Sequence, residues 1–226
     1  MPGSWVFAGG TMRADDLGPE ASTLAPQFSP HQARQLLDRP PDVAPSPNQS
    51  LAYLIAAARE LFEEAGVLLT NCGALHQGAR HLHSVRDSLE RGRPFPEVAA
   101  ELGIELALDQ LIYYAHWITP ESIPQRYDTR FFIAMMPADQ KASPSLSEMS
   151  DGRWLTAREA LAARSNGEMP MHFSTASHVR RLARWATLGE LLEFARTKPV
   201  LTVLPPTRKV ESQTVPYLPP EIDDEW

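Results

Sequence analysis

Three carboxylates fall within five residues of the stretch AARELFEEAGVLL at 57–69: Glu60, Glu63 and Glu64. Successive residues of a helix turn by about 100°. With Glu60 set at zero, Glu63 then lies near −60° and Glu64 near +40°, an arc of about 100° on one face. Like charges so spaced repel by a few tenths of a kcal/mol per pair on a bare helix. A hard divalent cation would offset that repulsion, because it takes oxygen ligands and is commonly held by one or two carboxylates with phosphate and water. Taken alone, such a cluster is more often a solvated helix face than a metal site.

The elements around the cluster must position it. The spacing predicts a helix over 51–65, capped by Ser50, with Leu54, Ala58, Leu61 and Ala65 on its apolar face. Gly66 suits the left-handed residue that ends a helix, and Val67–Leu69 read as extended chain. Upstream, SWVFA at 4–8 reads as a short strand running into the Gly9-Gly10 turn. Residues 11–50 are polar and Pro-rich and read as a long loop with one short helix at His31–Leu37; loops of this length are usually functional or inserted. Residues 74–110 are predicted helical. Strands are expected at 111–119, 129–136 and 152–155, and helices from Thr156 and over 175–196. The tail 207–226 is Pro-rich and acidic, with disorder expected at its end. Interleaved strands and helices indicate an α/β layered domain.

Composition narrows the function. A chain of 226 residues suits one embellished domain or two small ones. Its net charge of −7 disfavours nucleic acid as partner, since phosphate backbones call for a basic face. The segment HVRRLARW at 178–185 is basic only locally. Cys72 is the only cysteine, which removes internal disulfides and cysteine zinc clusters and fits a reducing, cytoplasmic setting. No apolar run approaches the ~18 residues of a membrane span. His76, His81 and His83 make a poor metal site, because on a helix His81 and His83 point about 200° apart.

Arg59, Glu60, Leu61, Glu63, Glu64, Gly66 and Val67 together resemble the second half of the Nudix hydrolase signature. That signature runs Gly, five residues, Glu, seven residues, Arg-Glu-apolar-any-Glu-Glu-any-Gly-apolar. Its first Gly matches Gly10, and Asp16 stands where it has Glu. Gly10 and Arg59 lie 49 positions apart, against 14 in the signature, so about 35 residues interrupt the box, here at about 17–50. The interruption, with AHWITP at 115–120 and the segment 147–171, resembles the branch of peroxisomal coenzyme A diphosphatases and their bacterial relatives.

The resemblance implies an α/β/α sandwich with a mixed central sheet and extra helices. The expected domain spans 1–206, with the insertion at 17–50 and a helical segment at 74–110. It also implies a strand ahead of the Gly-Gly turn, so an N-terminal strand is expected to be missing from the chain, unless residues 200–206 fill that edge. The implied chemistry is Mg²⁺- or Mn²⁺-dependent cleavage of a diphosphate. In it Glu60 and Glu64 are the principal metal ligands, Glu63 a further ligand or base, and Arg59 the group that orients them. Gly9 and Gly10 let the loop approach helix and phosphates. Glu148, six residues before Trp154, matches the place where relatives carry a ligand or base; a solvated loop carboxylate is the equal alternative. Arg126 and Arg130 are candidates to reach phosphate or adenine, with pairing of Arg130 to Asp128 as the equal alternative. The implied substrate is coenzyme A, an acyl-coenzyme A or a related nucleoside diphosphate derivative, with ADP-ribose, a nucleotide sugar or a dinucleotide as runner-up. A non-catalytic nucleotide-binding module is the reading from another class, disfavoured because a binder need not keep every signature acid. The insertion is expected to lie apart from the metal chemistry and to affect substrate choice. A homodimer is compatible with all of this.

Overall fold

The computed structural model describes residues 3–37, 45–70, 79–145 and 150–226. Cys72, His76 and Glu148 lie outside the described residues, as do the side chains of His81 and His83. The chain divides into two compact units, one formed by Ala8–Ile112 and Ile133–Gly152, the other by Met1–Phe7, Tyr113–Phe132 and Arg153–Trp226.

The unit that carries the carboxylates is mostly helical. Helices α1 (Pro19–Thr23), α2 (Pro30–Leu37) and α3 (Pro47–Ala65) are followed by α4 (Ala79–Glu90) and α5 (Phe95–Glu101). Helix α3 starts four residues earlier than Ser50 predicts. Ser46 caps it instead: its side chain accepts from the Gln49 N–H while Gln49 reaches back, and Pro47 occupies the first turn, where its missing N–H costs nothing. Ser50 lies inside the helix, and its hydroxyl donates to the Ser46 carbonyl at 3.0 Å.

The buried stripe of α3 is wider than Leu54 and Ala58. Leu51, Ile55 and Phe62 are buried with them, whereas Leu61 is only half-buried. On the helical wheel this carries the apolar arc round to about 220° from Glu60. Phe62 meets Phe95 of α5 at a ring-centroid distance of 6.1 Å. Gly66 ends the helix at φ 68°, as predicted. A Cβ there would stand 2.9 Å from the Ser143 carbonyl oxygen, a second reason for glycine. The last carbonyls of α3 are not left to solvent: Ser143 N–H donates to Ala65 O and Ser145 N–H to Glu64 O.

The short helix expected at His31–Leu37 is α2, but the segment 17–50 is less loop-like than expected: α1 precedes α2, and Ala21, Leu24, Ala33 and Leu37 are buried. Helix α2 packs along α3. Burial of these apolar side chains, each worth up to about 1.5–3 kcal/mol for a Leu, makes the segment part of the core that holds α3. Excising it would expose α3.

The other unit is built on β1 (Ile112–Ile118), β2 (Asp128–Ile133) and β3 (Thr202–Val203), in the order β2-β1-β3. Strands β1 and β3 run parallel, with His116 opposite Thr202 and Trp117 opposite Val203. The 200–206 segment thus supplies the strand beside β1. Around the sheet stand α6 (Ala157–Ser165), α7 (Phe173–Leu182) and α8 (Leu188–Thr197). Thr156 caps α6 as predicted, with Glu159 completing the box.

Two predicted strands are absent. Trp5 makes a single parallel bridge to Met171, and Val6 and Phe7 are exposed. Residues 152–155 form no strand; Gly152 lies against the ring of Pro144, where a Cβ would clash. The tail is ordered where disorder was expected. It forms the hairpin β4 (Thr207–Val210) and β5 (Gln213–Pro216), then α9 (Pro220–Glu225). Its last residue, Trp226, is 1% exposed, edge-on to Trp117 and His178. Burying so large a ring offsets the chain entropy of ordering the tail.

Histidine 116 ties the three strands together. Its Nε2 lies 2.7 Å from Asp128 Oδ1 and its Nδ1 3.0 Å from Thr202 Oγ1. The His116 hydrogen bond holds the Asp128 carboxyl below its ordinary 3.8, burial opposing and Arg130 assisting. The folded value is the lower one, so this stabilisation is full above the unfolded value and disappears as pH falls through the folded one. Asp128→Asn is therefore expected to flatten the acid limb of the stability curve, below about pH 5. Urea denaturation at a series of pH values checks this, and an unchanged acid limb in the variant would contradict it.

Candidate functional site

The site is built round one buried cation. Arg59 is 1% exposed, yet all its nitrogens are engaged. Its Nε and Nη2 grip the two oxygens of Asp16 at 2.9 Å each. Its Nη1 donates to Glu60 Oε1 at 2.7 Å and to Glu63 Oε2 at 2.9 Å. Its Nη2 also donates to the Thr11 carbonyl at 3.0 Å. Burial alone would lower the pKa of the guanidinium, but hydrogen bonds and charge from Asp16, then Glu60, outweigh it and raise the group above its ordinary value. This planar fork explains why arginine rather than lysine stands here.

The carboxylates of Glu60, Glu63 and Glu64 sit at the C-terminal end of α3, where the helix dipole disfavours negative charge. Arg59 compensates within the helix. Arg13 does so from the loop, with Nη1 3.0 Å from Glu63 Oε1 and Nη2 3.8 Å from Glu60 Oε1. The Gly-Gly turn closes over the same end. Gly9 N–H donates to Glu64 Oε2 at 2.8 Å. A Cβ on Gly10 would stand 2.5 Å from Glu60 Oε1, and the Glu60 carboxylate cannot swing away while Arg59 holds it.

The sequence-predicted Arg59, Glu60, Glu63, Glu64, Gly9 and Gly10 are therefore brought together. Asp16, the departure from the signature, is the buried partner of Arg59 across the whole insertion. Arg13 had no signal in the sequence beyond its place three residues after Gly10. Arg126 and Arg130 belong to the other unit. Arg126 donates from Nε to the Thr119 carbonyl at 2.9 Å. Arg130 pairs with Asp128 at 2.8 Å, the alternative the sequence left open.

The donor set of Glu60, Glu63 and Glu64 suits a hard divalent cation, since it is all carboxylate oxygen. Among the described residues no three acidic, His or Cys side chains converge as a ready coordination group. Two of the three carboxylates are instead turned toward guanidinium groups.

The chain is similar to known proteins. The sequence model of the NUDT19 Nudix domain matches residues 1–182. The acyl-coenzyme A diphosphatase NUDT19 of Homo sapiens is 29% identical over 224 residues, covering 86% of this chain and 60% of that protein. Its counterpart in Xenopus laevis is 25% identical, covering 86% of this chain and 59% of that protein. The chain thus spans about three fifths of the length of these curated relatives. In fold it is similar to the crystal structure of a NUDIX hydrolase from Alicyclobacillus acidocaldarius, with a TM-score of 0.58 at 24% identity, covering 85% of this chain and 81% of that one.

Proposed function

The chain belongs to the NUDT19 Nudix domain family, and from that premise we propose that it hydrolyses the diphosphate linkage of coenzyme A, an acyl-coenzyme A or a related nucleoside diphosphate derivative. The observation that carries the reading is the Arg59 network, which gathers the signature acids under the Gly9-Gly10 turn. The relatives named acyl-coenzyme A diphosphatase support the substrate class.

In this reading Glu60 and Glu64 hold Mg²⁺ or Mn²⁺, and Glu63 serves as a further ligand or as the base. The ion supplies Lewis acidity, acidifying water and offsetting phosphate charge. Arg59 fixes the rotamers of Glu60 and Glu63, so their oxygens need not reorganise when substrate arrives. The Gly9-Gly10 turn brings backbone close to the phosphates. Glu148 is a candidate base, and Arg126 and Arg130 are candidate substrate contacts. The single cysteine supports a reducing, cytoplasmic setting. No helix among the described residues is long and apolar enough to cross a membrane.

The test is to incubate protein with Mg²⁺ or Mn²⁺ and a panel of diphosphates, among them coenzyme A, acyl-coenzyme A, ADP-ribose, a nucleotide sugar and a dinucleotide. Release of the 4′-phosphopantetheine ester from coenzyme A substrates at the highest kcat/KM is expected. Preference for ADP-ribose would move the assignment to the runner-up, and no turnover on any member would refute it. Gly10→Ala gives a sharper check of the turn. Its Cβ cannot fit beside the pinned Glu60 carboxylate, so kcat/KM is expected to fall about 10–100-fold through misplacement of that ligand. Unchanged kinetics would show that the turn is not held as tightly as its contacts require.

A further inference from the structure

We propose that Arg13 is a resident counter-cation of the carboxylate site, displaced by the divalent ion and then free to bind the substrate's diphosphate. This rests on the metal-dependent diphosphatase reading above.

The two arginines of the site are held in different ways. Arg59 is buried and held at every nitrogen. The backbone of Arg13 is anchored at both groups: its N–H donates to Asp16 Oδ2 at 2.7 Å and its carbonyl accepts from the Asp16 N–H at 3.2 Å. Its side chain remains 47% exposed. The same Asp16 carboxylate thus fixes the Arg13 Cα and the Arg59 fork in one frame, while the Arg13 guanidinium can turn about its own rotors.

That guanidinium takes oxygens a metal would need. It bonds Glu63 Oε1 at 3.0 Å and lies 3.8 Å from Glu60 Oε1. The Arg13 end of both pairs is open to water, which weakens and screens them, while the carboxylates are only 7% and 9% exposed. A divalent ion competing for the same carboxylates therefore dislodges Arg13, and leaves Arg59 in place. The released fork carries five donors in a plane suited to phosphate oxygens. Its Cα lies three residues beyond Gly10, within the loop that the reading above sets against the phosphates. Arg13 is thus cast in two successive roles, opposing metal binding first and favouring substrate binding afterwards.

The two roles have opposite signs, and that makes them separable. Mn²⁺ binding without substrate is measured by titration calorimetry on wild type, Arg13→Gln and Arg13→Lys, and KM on the best diphosphate substrate is measured in saturating Mn²⁺. Arg13→Gln is expected to bind Mn²⁺ about two- to fivefold more tightly, because a competing cation is gone. Its KM is expected to rise about tenfold, because a charge-assisted phosphate contact is lost. Arg13→Lys keeps a charge without the fork and should fall between wild type and Arg13→Gln in both. An arginine that merely braces the loop would, on removal, weaken Mn²⁺ binding and lower the melting temperature together. Weaker or unchanged Mn²⁺ binding in Arg13→Gln, with wild-type protein both binding Mn²⁺ and cleaving diphosphates, overturns the role of Arg13 alone. Wild-type protein that neither binds Mn²⁺ nor cleaves any diphosphate overturns the parent reading and this one together.

Discussion

Glu64→Gln is expected to lower turnover by about three orders of magnitude, roughly 4 kcal/mol of barrier. The melting temperature should move by no more than about 2–4 °C, the shift that about 1 kcal/mol gives in a chain of this size. The reasoning starts from what the substitution leaves alone. Glu64 Oε2 accepts the Gly9 N–H at 2.8 Å, and the amide oxygen of glutamine can accept the same bond, so the turn stays docked on α3. What disappears is the negative charge. Arg59 and Arg13 hold Glu60 and Glu63, and the Gly9 N–H holds Glu64. In the proposed site Glu64 is one of the two principal ligands, and a hard divalent ion needs its charge. Steady-state kinetics across a Mg²⁺ titration, with a thermal melt of the same sample, checks both halves. A variant that keeps near wild-type turnover at saturating Mg²⁺ would remove Glu64 from the metal site.

What the sequence disclosed was whatever local spacing encodes. The carboxylate arc, the Gly66 stop, the cap at Thr156 and the strands near 112 and 128 all follow from neighbours within a few residues, where propensity and periodicity act directly. Ser50 was the nearer cap candidate, yet the combination of Pro47 in the first turn with Gln49 at the third position favours Ser46. The parts that escaped depend on contacts distant in sequence. Ala33 and Leu37 become core only because α2 finds α3. Trp226 is buried only because Trp117 and His178 meet it more than 40 residues away along the chain. Arg13 sits in an irregular loop, where no period marks a charged residue as functional. Asp16 was visible as a departure from a pattern, but its bidentate grip on Arg59 spans 43 positions and had no local signal.

That ion pair is where fold and site coincide, and Arg59→Met is expected to show it. Methionine fills much of the same space and carries no charge, so packing is largely kept while the buried cation is lost. Asp16, 2% exposed, would then hold an unpaired carboxylate. Removing one partner of a buried pair costs about 3–5 kcal/mol. At about 2–4 °C per kcal/mol, the melting temperature should drop by roughly 10 °C. Glu60 and Glu63 would repel each other with only Arg13 between them, so turnover should fall as well. Loss of activity in a weakened protein proves little by itself, and a second variant separates the effects. Arg59→Met combined with Asp16→Leu removes both buried charges and leaves no orphan, so part of the stability should return. Activity should not return with it, because nothing then orients Glu60 and Glu63. Chemical denaturation gives the stabilities and the diphosphatase assay gives the rates. If Arg59→Met alone loses less than about 1 kcal/mol, the value of an exposed pair, then Arg59 is not the buried centre on which the acids depend. If the double variant regains activity along with stability, Arg59 supports the fold alone and the carboxylates orient themselves.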